Sequence, residues 1–433
     1  MTRRTSAARP FRRPSRLSLV LSAGVTDSVG LAFGWTVFLL AVTERDGYDV
    51  ATTHSAAALV GVAISGPVSA RLAGWLSPRD LLRVLAVAEG ACRVGLFALF
   101  WVHAPASVMA LLVAVMNVLA WSAFAAMRTE VSRARDGAAP ARARPARDDG
   151  GAGRLLTMYA VAILSSEALA TGLASLVLDS APSGPVLAAV AAAYGLTLLP
   201  QWVVGTFAPR GRPDAGAGRT SWRLVAAPCG IGGLVFFLAA SPALAATVLA
   251  YEAYGTSGVA VSAVAFAAGA LAAARVQAVV GRWQPTAVAA FALGALLVGG
   301  WSLAGLGLAG LAVAQALAGL AQCALEGDLD ARIVARAGAE RSTSALAMAS
   351  SSRALGGALA VWLLPYLAGV VPLYPVCGAV GGALACASLV TLLTQRRGTP
   401  PVTAIPAPRT PLPLETGVPS RAVTVVPVRH DVS

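Results

Sequence analysis

The sequence contains no lysine, and charge of either sign is scarce: charged residues make up 12% of its 433 positions. Soluble domains carry about 25% charged residues and need polar side chains to cover their surface. The shortage excludes a soluble enzyme, and it also excludes a disordered chain, which would be rich in charge and poor in apolar residues. Cysteine is limited to Cys92, Cys229, Cys323, Cys377 and Cys386, each inside an apolar stretch and none in a CxxC pair. A disulfide scaffold is thereby excluded. The three histidines are His54 and His103, both expected in connecting loops, and His430 near the end. Neighbouring positions thus offer no metal cluster, and no metal or other cofactor is expected. The phosphate-binding pattern GxxxxGK[ST] is missing, which removes direct coupling to ATP by this chain.

What the sequence has in abundance is apolar length. Hydrophobic residues reach 57% and the mean hydropathy is +0.71. A membrane-crossing helix needs about 20 apolar residues. Runs of that kind lie at 17–42, 55–76, 80–102, 105–127, 155–178, 184–206, 224–250, 257–280, 284–304, 306–326, 345–368 and 372–394. The fold class expected is an all-α polytopic membrane protein with twelve transmembrane helices. The division within 284–326 is placed near Gly305 and Gly307. Met1–Arg16 holds six arginines ahead of the first run. That run is too long for a signal peptide, whose apolar region spans about 7–15 residues, and no cleavage site follows it.

The 33 basic residues are all arginine and give a formal net charge of +13. A nucleic-acid reader would gather them into a patch interleaved with aromatics. Instead they cluster between the apolar runs, so no nucleic-acid partner is expected. With the N-terminus placed in the cytoplasm, 31 of the 33 fall on the inner side when the spans alternate; Arg45 and Arg93 are the exceptions. The positive-inside rule then predicts an even number of spans, both termini cytoplasmic, and a multi-pass protein of the cell membrane. Gly137–Gly153 reads as an inner loop. The tail beyond Gly398, with eight prolines, reads as disordered.

Two segments echo each other at an offset of 186 residues. Ser165-Ser166-Glu167-Ala168-Leu169-Ala170-Thr171-Gly172-Leu173-Ala174 matches Ser351-Ser352-Arg353-Ala354-Leu355-Gly356-Gly357-Ala358-Leu359-Ala360 at six of ten positions. Ala70-Arg71 and Ala274-Arg275 echo more weakly. Both pairs fit six spans plus six, the duplicated architecture of many carriers. The resulting division is a basic tail at 1–16, a six-helix bundle at 17–206, a central loop at 207–223, a second bundle at 224–394 and a Pro-rich tail at 395–433.

An ionisable side chain near the bilayer centre costs roughly 2.5–3.5 kcal/mol on insertion scales and is a functional candidate for that reason. Asp27 lies ten residues into the first run, about 15 Å along a helix. Glu167 lies twelve residues into the fifth. Each is a candidate proton-coupling group, and each has a plain alternative: a structural acid bonded to nearby hydroxyls for Asp27, a partner of Arg353 for Glu167. Glu89 and Arg93, four apart on the third span, share one face and are read as a structural pair. Glu252, between Tyr251 and Tyr254, is read as an interface residue or a gate.

With twelve spans in two halves, a basic connection between spans six and seven and an Asp inside the first span, the chain resembles the major facilitator superfamily, in its twelve-helix exporter-like branch. A further likeness is the connection Arg71-Leu72-Ala73-Gly74-Trp75-Leu76-Ser77-Pro78-Arg79-Asp80. Gly74 stands where the family usually has Asp, and Glu167 stands near a family Pro. The resemblance implies two pseudo-symmetric six-helix bundles and a central cavity lined by spans 1, 4, 7 and 10. Trp35, Asn117, Trp121, Gln315 and Gln322 are then cavity candidates, and mostly apolar walls suit an amphipathic organic molecule. Its implied activity is secondary transport by alternating access, as a proton-coupled efflux carrier, with a small-molecule substrate, protons and the lipid bilayer as partners and a monomeric state. An uptake permease of the same fold, a non-transporting scaffold or sensor, and an integral-membrane enzyme remain the alternatives.

Overall fold

A computed structural model of the protein describes residues 15–138, 149–177, 184–208, 222–244, 246–280, 286–337, 342–368 and 371–398. The basic tail up to Pro14, most of the Gly137–Gly153 loop, most of the central loop and the Pro-rich tail lie outside them. Met1–Leu392 form one compact unit; a second, Leu393–Ser433, contributes the end of the last helix. Every described element is helical. In order they are α1 (Arg16–Asp46), α2 (Tyr48–Trp75), α3 (Pro78–Trp101), α4 (Ala106–Ala138), α5 (Asp149–Val177), α6 (Gly184–Leu196) and α7 (Leu199–Phe207). There follow α8 (Trp222–Ala239), α9 (Ser241–Leu244), α10 (Ala246–Val280), α11 (Thr286–Gly299), a 3-10 turn at Gly300–Leu306, α12 (Leu308–Ala337), α13 (Ser342–Ala368) and α14 (Leu373–Gly398).

Ten of these stretches are long and apolar enough to cross a membrane. With α8 and α9 in the seventh place and α13 in the eleventh, the order is consistent with twelve crossings. Exposed Val87, Leu111 and Leu271 stand on outer faces, as a lipid-facing surface allows, while the backbone is satisfied within each helix.

Local sequence explains most of the breaks. Ser15 caps α1 by accepting from the Ser18 N–H at 3.1 Å. Ser77 caps α3, with Pro78 pre-set in the first turn. Gly47, at φ 91°, ends α1 and starts α2 in a single residue. For that reason α2 begins at Tyr48, well before the expected 55, and His54 is no loop residue. It lies fully buried inside α2 with Nδ1 2.6 Å from the Val50 carbonyl. Gly307, at φ 97°, divides the long apolar stretch 284–326, at a position that only a residue without a Cβ occupies freely. The break after the seventh span falls at Gly255, inside α10, so the first turns of α10 complete the span expected at 224–250.

The apolar core is assembled in pieces. One cluster around Phe236, Leu293, Trp301 and Leu325 belongs almost wholly to α8–α14. Two others, around Leu82 and Tyr159 and around Phe38 and Phe97, belong to α1–α7. The two sets of helices meet where α2 and α4 pack on α13, and where α5 packs on α10 and α12.

Candidate functional site

The charged centre of α1–α7 is organised by Arg93. Its side chain is fully buried on α3, one turn after Glu89. The guanidinium donates to Glu89 Oε1 and to Asp27 Oδ1 on α1. It also donates to Thr197 Oγ1 at 3.1 Å and to the Tyr194 carbonyl at 3.3 Å, and it stacks over the Tyr194 ring. Those last acceptors exist because the helix breaks between α6 and α7. There the Leu198 N–H turns back to Gly195, and Pro200 brings no N–H of its own. The Tyr194 carbonyl is left to accept from the Thr197 hydroxyl at 2.8 Å and from Arg93. A planar, permanently charged fork suits this many-sided arrangement as lysine would not. Glu89 is fully buried, whereas the Asp27 carboxylate keeps 21% of its surface exposed, and that surface faces a cavity.

The cavity has a volume of about 380 Å3 and is lined from both sets of helices. Asp27, Ser28 and Trp35 come from α1, Trp121 and Phe124 from α4, and Glu167 from α5. Phe236 of α8, Gln322 and Glu326 of α12, and Ser350 and Arg353 of α13 close the other side. Most of the wall is apolar, with a few convergent polar groups, as small-molecule sites are. The Ser28 hydroxyl donates to Glu167 Oε1 at 3.2 Å, tying α1 to α5.

Below the cavity, at the end where α4 and α12 finish and α13 begins, charge links the two sets of helices. Arg128 of α4 donates to Glu326 Oε2 of α12 at 2.6 Å and to Asp330 Oδ2. Asp330 also accepts from Arg353 of α13 at 2.9 Å. Gln322, Glu326 and Asp330 recur every four residues and so form a ladder on one face of α12. Arg128, Asp330 and Arg353 are all buried. Around them Thr129 and Thr343 hydroxyls lie 3.0 Å apart. The Ser351 hydroxyl accepts from the Gly66 N–H at 2.7 Å and donates to the Val62 carbonyl at 3.1 Å, entering the ladder of α2 just before Pro67. Gly327 meets α5 so closely that a Cβ there would lie 1.9 Å from Thr157 Oγ1. Arg16 and Arg133, both on Glu130, and Arg332, on Asp328, sit at this same basic end.

Of the positions singled out in the sequence, Asp27, Trp35, Trp121, Glu167, Gln322 and Arg353 line the one cavity. Asn117 does not: its amide donates to the Val113 carbonyl at 2.9 Å, beside the close approach of Gly61. Gln315 does not either, because the first turns of α12 are covered by α10, α11 and the 3-10 turn, which bury it. Arg353 is bonded to Asp330 and Ser350 and not to Glu167. The side chain of Glu252 lies outside the described residues. Of the connection expected between the second and third spans, Arg71 (exposed) and Gly74 (partly buried) lie in the last turns of α2. In the first turn of α3 the Arg79 carbonyl borders Gly205 of α7, and Asp80 accepts from the Ser77 hydroxyl at 2.6 Å. Asp80 thus completes the cap of α3.

Arg128, Glu326 and Asp330 were not singled out. The apolar runs stop at 127 and 326, so Arg128 and Asp330 read as loop charges and Glu326 as the edge of its run, although the helices continue to Ala138 and Ala337. The signal available was Glu326, Asp328 and Asp330 at helical proximity with no turn residue beyond Gly327 to end the span. Among the described residues, no group of three or more His, Cys, Asp or Glu side chains is placed to hold a metal ion.

No family model matches the chain, and no curated protein matches it. Solved structures do. The human organic anion transporter MFSD10 (TETRAN) superimposes with a TM-score of 0.60 at 13% identity, over 87% of this chain and 100% of the other. The proton:xylose symporter XylE gives 0.64 at 12% identity, over 89% and 96%. A bacterial homologue of the iron transporter ferroportin, in an outward-facing state, gives 0.59 at 14% identity, over 89% and 99%. Nearly whole-length superposition on these chains, together with the helix order and the cavity between two helical sets, establishes the fold as that of the major facilitator superfamily.

Proposed function

We propose that the protein is a secondary carrier that moves a small amphipathic organic molecule by alternating access, as proton-coupled efflux. The observation that carries this reading is the cavity of about 380 Å3, walled by both helical sets and shut at the basic end by the Arg128, Glu326, Asp330 and Arg353 cluster. Rocking of the two sets about that cavity would break these bonds and expose the site to the other side. The arginine distribution supports a basic end and both termini on the cytoplasmic side, and in this reading the protein acts in the cell membrane. The chain acts as a monomer, since the cavity is complete within it.

Asp27 and Glu167 carry the proton coupling in this reading. Both line the cavity, where Glu167 accepts from the Ser28 hydroxyl and Asp27 from Arg93. Ion pairs at the basic end, by contrast, hold the closed state. The test is transport in proteoliposomes under an imposed proton gradient, across a panel of amphipathic organic solutes. Wild type is expected to move at least one solute with the gradient, and Asp27→Asn and Glu167→Gln to lose at least about tenfold in that rate, as loss of a charged hydrogen bond would give. Unchanged gradient-dependent rates in both variants would remove the carboxylates from the coupling step.

A further inference from the structure

Among the described residues, charge around the cavity does not balance. Five carboxylates, Asp27, Glu89, Glu167, Glu326 and Asp330, stand against three guanidiniums, Arg93, Arg128 and Arg353, which leaves two carboxylates in excess. The deficit is local. At the basic end two arginines meet two acids and the cluster is neutral. At Arg93 two acids share one cation, and the partner of Glu167 among the described residues is the Ser28 hydroxyl. One excess charge is that of Glu167, which borders the cavity; the other is shared between Asp27, which borders it, and Glu89, which is buried outside its lining.

A carboxylate held away from bulk water without a counter-charge is strongly destabilising. Each of the two must take up a proton or face a cation. Anionic ligands have no such attraction, because every one of the three arginines is already bonded to at least one carboxylate. The remaining wall supplies what a compact inorganic ion would not use. Trp35 and Trp121 line the same cavity as the acids, and aromatic faces attract organic cations.

We propose that the ligand of this cavity is an amphipathic organic cation, its positive charge facing Asp27 and Glu167 and its apolar body against Trp35 and Trp121. For transport this inference rests on the carrier reading above; for binding it stands on the charge and the walls. Occupation by the cation and protonation of the acids then become alternatives at one site, which is the condition for exchanging one for the other.

Binding to the purified full-length protein in detergent tests the charge requirement, with tetraphenylphosphonium and tetraphenylborate as probes of equal shape and opposite sign and empty micelles as the blank. The phosphonium is expected to bind and the borate not to. Glu167→Gln and Asp27→Asn are each expected to weaken the phosphonium by about tenfold or more, while Glu167→Asp, which keeps the charge, retains most of the affinity. Equal binding of the two ions, or wild-type affinity in both neutral variants, would overturn the assignment. Ethidium movement under a proton gradient in proteoliposomes reads the carrier proposal separately. Charge-selective binding without such movement upholds the cation site and removes the carrier. Gradient-driven movement of a neutral or anionic solute, with no preference for the phosphonium, upholds the carrier and removes the cation site.

Discussion

Arg93→Met is expected to destabilise the protein by about 3–5 kcal/mol, while Glu89→Gln, one turn away, is expected to be tolerated within about 1.5 kcal/mol. The asymmetry follows from the local count. Among the described residues Arg93 is the cation bonded to Asp27 and Glu89, and removing it strands both carboxylates. Removing the charge of Glu89 instead leaves a one-to-one pair between Arg93 and Asp27, and glutamine keeps a carbonyl oxygen in reach of the guanidinium. Midpoints of thermal unfolding in detergent give the comparison. The double variant Arg93→Met/Glu89→Gln should recover part of the loss, because one stranded charge is then gone. An Arg93→Met protein as stable as wild type would mean that the cluster is not held by this guanidinium.

The second large effect lies at the basic end. Arg128→Met leaves Glu326 and Asp330 facing Arg353 alone, one acid in excess in a buried site. Loss of about 3–5 kcal/mol is again expected for the single variant. Adding Glu326→Met restores a one-to-one balance between Asp330 and Arg353, so the double variant should be more stable than Arg128→Met. A double-mutant cycle on thermal midpoints should return a coupling of about 0.5–3 kcal/mol. A coupling of zero would show that the two residues act independently and that the bond between the helical sets contributes nothing. Because this cluster joins α4 to α12 and α13, the single variant is also expected to loosen the closed end of the cavity.

How far such pairings were legible in the sequence depended on whether both members fell within one helix. Glu89 and Arg93 are four apart, and their adjacency follows from helical geometry alone. Asp27 was visible as an acid in an apolar run, but its bond to Arg93 joins α1 to α3 and required the fold. Arg353 was flagged through its symmetry with Glu167, yet its acid is Asp330, a helix away. Arg128, Glu326 and Asp330 were hidden for a different reason. Hydropathy marks where a helix leaves the apolar layer, and these helices continue beyond that point, so buried charges at their ends looked like loop residues. Trp121 and Gln322 show the converse, since their helical faces happened to meet the cavity, whereas Gln315, on the same face as Gln322, is covered by its neighbours. The break near Gly307 was legible in a single residue, whereas the turn at Gly47 was not, so α2 begins before the expected 55; the described helices are consistent with twelve crossings.

The buried charges also divide by task. Arg128, Arg353, Glu326 and Asp330 are balanced two against two and join the helical sets, as the proposed closure requires. Those around Asp27 and Glu167 are unbalanced and border the cavity, which is the arrangement of a site awaiting a proton or a cation. Gly327 against Thr157 and Ser351 against Gly66 bring the helices at the closed end into backbone contact, so the ion pairs are shielded from water and strengthened by it.

In the proposed carrier the two helical sets separate at the basic end during each transport cycle. Cysteines at Thr129 and Thr343, whose hydroxyls are 3.0 Å apart across that boundary, can be joined by oxidation in a background lacking the five native cysteines. Gradient-driven transport of ethidium, or of whichever solute the proteoliposome panel returns, is predicted to stop when the pair is oxidised and to return when it is reduced. An oxidised protein that transports at the reduced rate would contradict alternating access between these two sets of helices.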